Sequence, residues 1–178
     1  MLVEVRVQSM GLDPSTNTPV VILQELGGER VLPIWIGPSE ASAIAMQLAE
    51  MPFPRPLTHD LLCSVLRGLG GSLEKVVITR VEDGTYFAEL LVRRNGDMIS
   101  VDARPSDSIA IALRVDARVF AQDELLEEAT IEIAGDAGSG EVTFGGEGPA
   151  ALSDVMGPSE LEEHLRNLNP EDFGRFTP

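Results

Sequence analysis

A chain of 178 residues, 43% of them apolar, can bury one hydrophobic core and carry a short tail. Its net charge of −16 argues against a general polyanion binder, and its single cysteine, Cys63, excludes an intramolecular disulfide and suits a reducing compartment. No stretch approaches the roughly 18 apolar residues of a membrane-spanning helix. Charge also breaks the N-terminal Met-Leu-Val-Glu-Val-Arg-Val too early for a secretory signal, so a soluble, cytoplasmic protein with no membrane partner is expected.

The acidity is uneven. Residues 1–118 hold 11 Lys/Arg against 15 Asp/Glu, whereas residues 119–178 hold 2 against 14. The body of the chain is therefore close to balance, and all but one of its basic residues (Lys75) are arginines, which suit forked phosphate contacts.

In chain order, residues 2–9 alternate apolar and polar and predict a half-buried strand, followed by a loop over 10–18. Two β-rich runs, Pro19–Leu26 and Arg30–Ile36, are joined around Gly27-Gly28, a hairpin signal. A helix is expected from Pro38, which suits the first helical position and puts Glu40 in the first turn. The alternating prolines of Met51–Pro56 predict a stiff extended link. A second helix is expected over 58–69, capped by Thr58, with an apolar stripe of Leu61, Leu62, Val65, Leu66 and Leu69.

Strands over 73–81, 85–93 and 98–103 are separated by Asp83-Gly84 and Asn95-Gly96, both strong hairpin dipeptides. A helix from Pro105, a short edge strand at Val119-Phe120 and a short acidic helix over 123–129 follow. The glycine-rich, acidic segment 131–157 reads as a flexible linker, and 158–178 as a short helix and tail. The domain proper is thus expected over 1–130.

One segment occurs twice. A shift of 67 pairs Pro38-Ser39-Glu40 with Pro105-Ser106-Asp107, and Ala43-Ile44-Ala45 with Ala110-Ile111-Ala112. Each copy follows a strand-like run and opens a helix-like run. The expected fold is therefore α+β: a mostly antiparallel sheet or partly open barrel with helices on one side, built from a duplicated strand–helix unit. If the halves pack about a pseudo-two-fold axis, Glu40 and Asp107 approach each other.

The residues that can carry chemistry gather at helix starts. Arg55-Pro-Leu-Thr-His-Asp60 is the densest polar cluster. His59, an imidazole of the type that titrates near neutral pH, is the best general acid/base, with Asp60 beside it. Arg55, Thr58 and Arg104 are placed to hold phosphate. Glu40, Asp60 and Asp107 are a possible carboxylate set for Mg²⁺ or Mn²⁺. The plain alternative is that these acids only complement helix dipoles and that Thr58 only caps, with Arg104 in a structural salt bridge. Cys63 reads as a core thiol and Trp35 as core or interface.

The segments Leu32–Ala41, Arg55–Leu61 and Asp102–Leu113 resemble those of the bifunctional nuclease domain family over about residues 1–130. The resemblance implies an α+β domain that self-associates as a homo-oligomer, a dimer being favoured, and that cleaves both DNA and RNA. A non-catalytic, self-associating module that binds an anion or a protein is the competing expectation.

Overall fold

The computed structural model describes residues 1–13 and 16–136; the expected linker from residue 137 and the helix and tail over 158–178 lie outside them. The elements, in order, are β1 (Leu2–Asp13), β2 (Thr18–Glu25), β3 (Val31–Trp35), α1 (Pro38–Leu48), α2 (Thr58–Gly68), β4 (Gly71–Glu82), β5 (Thr85–Arg94), β6 (Asp97–Ala103), α3 (Pro105–Val115), β7 (Arg118–Gln122) and α4 (Asp123–Asp136). The strands form one seven-stranded sheet in the order β3-β2-β1-β7-β4-β5-β6. Every pairing is antiparallel except β4 with β7. The sheet stays open and does not close into a barrel.

Local chemistry sets these elements. Asp83 and Gly84 (φ 49° and 73°), like Asn95 and Gly96 (φ 52° and 91°), are left-handed pairs, the backbone of a tight twisted hairpin turn. The alternation of β1 turns Val3, Val5 and Val7 toward the core. Pro38 and Pro105 open α1 and α3 with no side-chain cap. All four helices contribute buried side chains to one core cluster, among them Ile44, Cys63, Ile109 and Leu126, so they share a face of the sheet.

The duplication is larger than a strand–helix unit. The shift of 67 superimposes α1 on α3 residue for residue and carries β1, β2 and β3 onto β4, β5 and β6, and α2 into α4. Each half is thus βββαα, and the strand order reads the same outward in both directions from β7. β7 has its counterpart in the proline-bound link over 51–55, which forms no strand.

Several local expectations are corrected. β7 is the central strand, not an edge, because Val119 and Ala121 are both buried beneath the helices. β1 continues to Asp13, since Met10–Asp13 pair with Thr18–Val21. α4 continues to Asp136. The cap of α2 is Leu57, with Thr58 already helical; the Asp60 carboxylate accepts the Leu57 backbone N–H at 2.8 Å. Finally, of the apolar stripe of α2 only Leu66 packs against the core. Leu61, Leu62, Val65 and Leu69 are exposed, and Cys63 is the buried residue of that helix.

Candidate active site

The pseudo-symmetry brings the starts of α1 and α3 together, and Glu40 and Asp107 meet through one arginine. Arg104 donates from Nε to Asp107 Oδ2 at 2.7 Å and from Nη1 to Glu40 Oε1 at 2.8 Å. Its counterpart under the shift is Gly37, so one cation serves both acids. A side chain at Gly37 would displace the Glu40 carboxylate from this position, because its Cβ would stand 2.3 Å from Glu40 Oε2. Ser39 Oγ donates to that same oxygen at 2.8 Å.

His59, from the first turn of α2, completes the cluster with Nε2 at 3.1 Å from Asp107 Oδ1. A carboxylate only accepts, so Nε2 carries a proton; in the neutral ring Nδ1 then presents a lone pair. Hydrogen bonds from Ser39, with Arg104 behind them, hold Glu40 below the usual carboxylate range. Burial works to raise Asp107, but the hydrogen bonds from Arg104 and His59 outweigh it, so Asp107 too is lowered. Both acids are held as anions.

The sequence cluster Arg55–Thr58–His59–Asp60 is split by the helix, since successive residues turn about 100°. Asp60 faces the other flank, where its Oδ1 receives Arg114 Nε at 2.6 Å. Arg114 is almost fully buried and also donates to the carbonyls of Ala110 (2.8 Å) and Ala43 (3.2 Å), tying α2, α3 and α1 together. Burial pushes the Asp60 carboxyl up, yet the Leu57 N–H and Arg114 leave it lowered. Arg55 lines a cavity of about 310 Å³ on this flank, with Gln47, Phe53 and Ser64, and has no ion-pair partner among the described residues.

Thr58 and His59 open instead onto a cavity of about 620 Å³. Arg104 and Asp107 stand at the polar end of its lining, and Leu62, Tyr86, Leu90, Val101 and Ile111 supply the apolar part. Its counterpart in the first half is closed. There Leu32 and Ile34 of β3 are 0% and 2% exposed, against 42% and 43% for the equivalent Ile99 and Val101 of β6. α4 lies on β3 and fills that corner with Leu125 and Leu126, whereas α2 lies on α3 and β4 and leaves β6 uncovered. Under the shift, His59 stands where the fully buried Leu126 stands. One half has a packed corner, and the other has a cleft with an imidazole at its wall.

The expected metal ligands do not form one set. Asp60 is engaged by Arg114, and one guanidinium, that of Arg104, already pairs with both Glu40 and Asp107. Among the described residues no group of three or more His, Cys, Asp or Glu is placed to hold a metal ion. As they stand, these side chains do not fit a divalent cation. Arg114 and the apolar lining escape sequence reasoning, in which Arg114 and Val101 are not singled out and Leu62 belongs to the apolar stripe of a helix.

The bifunctional nuclease domain model matches residues 21–134, and the chain belongs to that family. An uncharacterized protein of Mycobacterium tuberculosis is 40% identical over 170 residues, covering 96% of this chain and 97% of its own. Bifunctional nuclease 1 of Oryza sativa subsp. japonica is 27% identical over 105 residues, 57% of this chain and 32% of the rice protein. Bifunctional nuclease 2 of Arabidopsis thaliana is 28% identical over 101 residues, 55% of this chain and 31% of its own. No helix among the described residues is long and apolar enough to cross a membrane.

Proposed function

We propose that this protein hydrolyses phosphodiester bonds of DNA and RNA at the His59–Asp107–Arg104–Glu40 cluster. The observation that carries the reading is the His59–Asp107 contact of 3.1 Å at the wall of an open cleft, in a chain of the bifunctional nuclease domain family. Asp107 accepts the Nε2–H and orients the imidazole, as a carboxylate does in other His–carboxylate pairs. His59 Nδ1 takes a proton from water, and the water oxygen bonds to phosphorus. The bond to the leaving sugar oxygen breaks, and that oxygen is protonated from solvent. Because water attacks, no 2′-hydroxyl is needed, and one centre serves both nucleic acids.

Arg104 is the phosphate-holding group. Its guanidinium has five N–H donors; Nε and Nη1 are turned to Asp107 and Glu40, and the remaining N–H groups are the ones that serve a phosphate oxygen. Glu40 and Asp107 hold the guanidinium in place. Arg55 lines the separate cavity on the other flank of α2 and has no part in this cleft. In this reading no step passes through a metal ion, because Arg104 occupies the carboxylates that would hold one.

The test is turnover on DNA and RNA by highly purified protein, with Mg²⁺, Mn²⁺ or EDTA, beside the His59→Ala and Asp107→Asn variants. Loss of general acid/base catalysis lowers the rate about 100-fold or more, with thermal melting unchanged for His59→Ala. Equal turnover in His59→Ala places the activity elsewhere. Absence of turnover in the parent protein favours a second reading, a non-catalytic module, for which the Arg104 pairs are a clamp between α1 and α3. Self-association belongs to both readings, and sedimentation velocity tests it; a single monomeric boundary at all concentrations counts against it.

A further inference from the structure

We infer that the apolar lining of the 620 Å³ cleft is a subsite for one unpaired nucleobase, so that the substrate at this centre is a single strand. This rests on the nucleic-acid reading above and adds to it where the strand lies. The cleft is two-sided. His59 and the exposed guanidinium of Arg104 are groups for a phosphate; the apolar part of the lining is Leu62, Tyr86, Phe87, Leu90, Val101 and Ile111, with Asp102 as a further acid and, among the described residues, no other basic group. An anionic backbone with a neutral, flat base attached has the same two sides. The volume lies within the roughly 300–1,000 Å³ of small-ligand sites.

The lining is core surface left bare. Val101 is 43% exposed where its counterpart Ile34 is 2%, and Leu62 is 47% exposed where its counterpart Ala129 is 5%. Apolar side chains equivalent to packed ones stay bare in water only at a free-energy cost that an occupant removes. In a duplex the bases are stacked inward and cannot enter a pocket beside their own phosphate without being flipped out, whereas in a single strand they turn out freely. Stacking on a ring such as Tyr86 tolerates any base and either sugar, which fits a site that takes both DNA and RNA.

The test is fluorescence anisotropy of labelled ten-nucleotide strands at low temperature, comparing an ordinary single strand, the same strand with abasic residues, and the duplex. The proteins are the full chain, Leu62→Asn and Val101→Thr. Both side chains are exposed and both changes keep the charge, so folding and backbone electrostatics are preserved. The ordinary strand is expected to bind about tenfold or more tighter than the abasic strand and the duplex. Each substitution should remove much of that advantage and leave abasic binding unaltered. Abasic binding equal to that of the ordinary strand overturns the subsite while leaving the nuclease reading standing. No binding of any strand overturns both. A dimer lost in Leu62→Asn, with strand binding unchanged, would show that a second copy covers the wall and would also overturn the subsite.

Discussion

Asp60 and His59 are neighbours in sequence with different work. Asp60 binds the buried Arg114 at 2.6 Å, and removing one partner of such a pair leaves the other unpaired in the core. Asp60→Ala is expected to cost about 3 kcal/mol in urea unfolding, so any loss of turnover in that variant comes with loss of fold. His59→Ala should lose turnover with little loss of stability. The lowered carboxyls of Glu40, Asp60 and Asp107 fix the acid side of the stability profile. Each has a folded-state pKa below its unfolded value, so its contribution is complete above the ordinary carboxylate range near pH 4 and is lost as pH falls through the depressed value. Melting temperature should therefore hold from pH 7 to about 5 and drop steeply below 4; a flat profile to pH 3 would show that these ion pairs contribute little.

At the level of elements, the two halves are a controlled comparison. Leu126 of α4 is fully buried in the core, and His59 of α2 holds the equivalent position at an open cleft. Leu126→Ala should cost about 2–5 kcal/mol by chemical denaturation, and His59→Ala under about 1. Similar costs would mean that the cleft is packed as tightly as its counterpart. The same comparison explains what the sequence made legible. The hairpin dipeptides, the helix-opening prolines and the 67-residue shift are local signals, and they place the strands, α1, α3 and the meeting of Glu40 with Asp107. Where α2 lies on the sheet is a tertiary choice. Its leucine stripe looks the same whether it packs a core or lines a cleft, so the cleft and the burial of Arg114 were not readable. Val119-Phe120 looked like an edge because a strand of five residues says nothing about its neighbours.

Across the whole molecule, the acidity belongs mainly to the last third. Residues 137–178 alone hold 8 Asp/Glu against 2 Arg. Deleting them should raise affinity for a nucleic-acid strand several-fold in low salt, with the two proteins converging in high salt as the charges are screened. Equal affinity at low salt would show that the tail stays away from the path of the strand. Melting of the shortened chain reports whether residues 1–136 hold their fold alone.

The place of β7 has a consequence for how the chain comes into being. The strand that joins the two halves of the sheet is the last of the seven to be synthesised, and it pairs with β1 through Leu2–Gln122 and Val5–Val119. Until residue 122 has left the ribosome, β1-β2-β3 and β4-β5-β6 are two ribbons, each with an unpaired inner edge. β1 and β7 are held apart in sequence by more than half the chain, a long-range closure of the kind that slows folding and exposes nascent strands to wrong partners. The duplicated halves carry near-equivalent edges, so the nearest wrong partner is the same ribbon on a neighbouring chain.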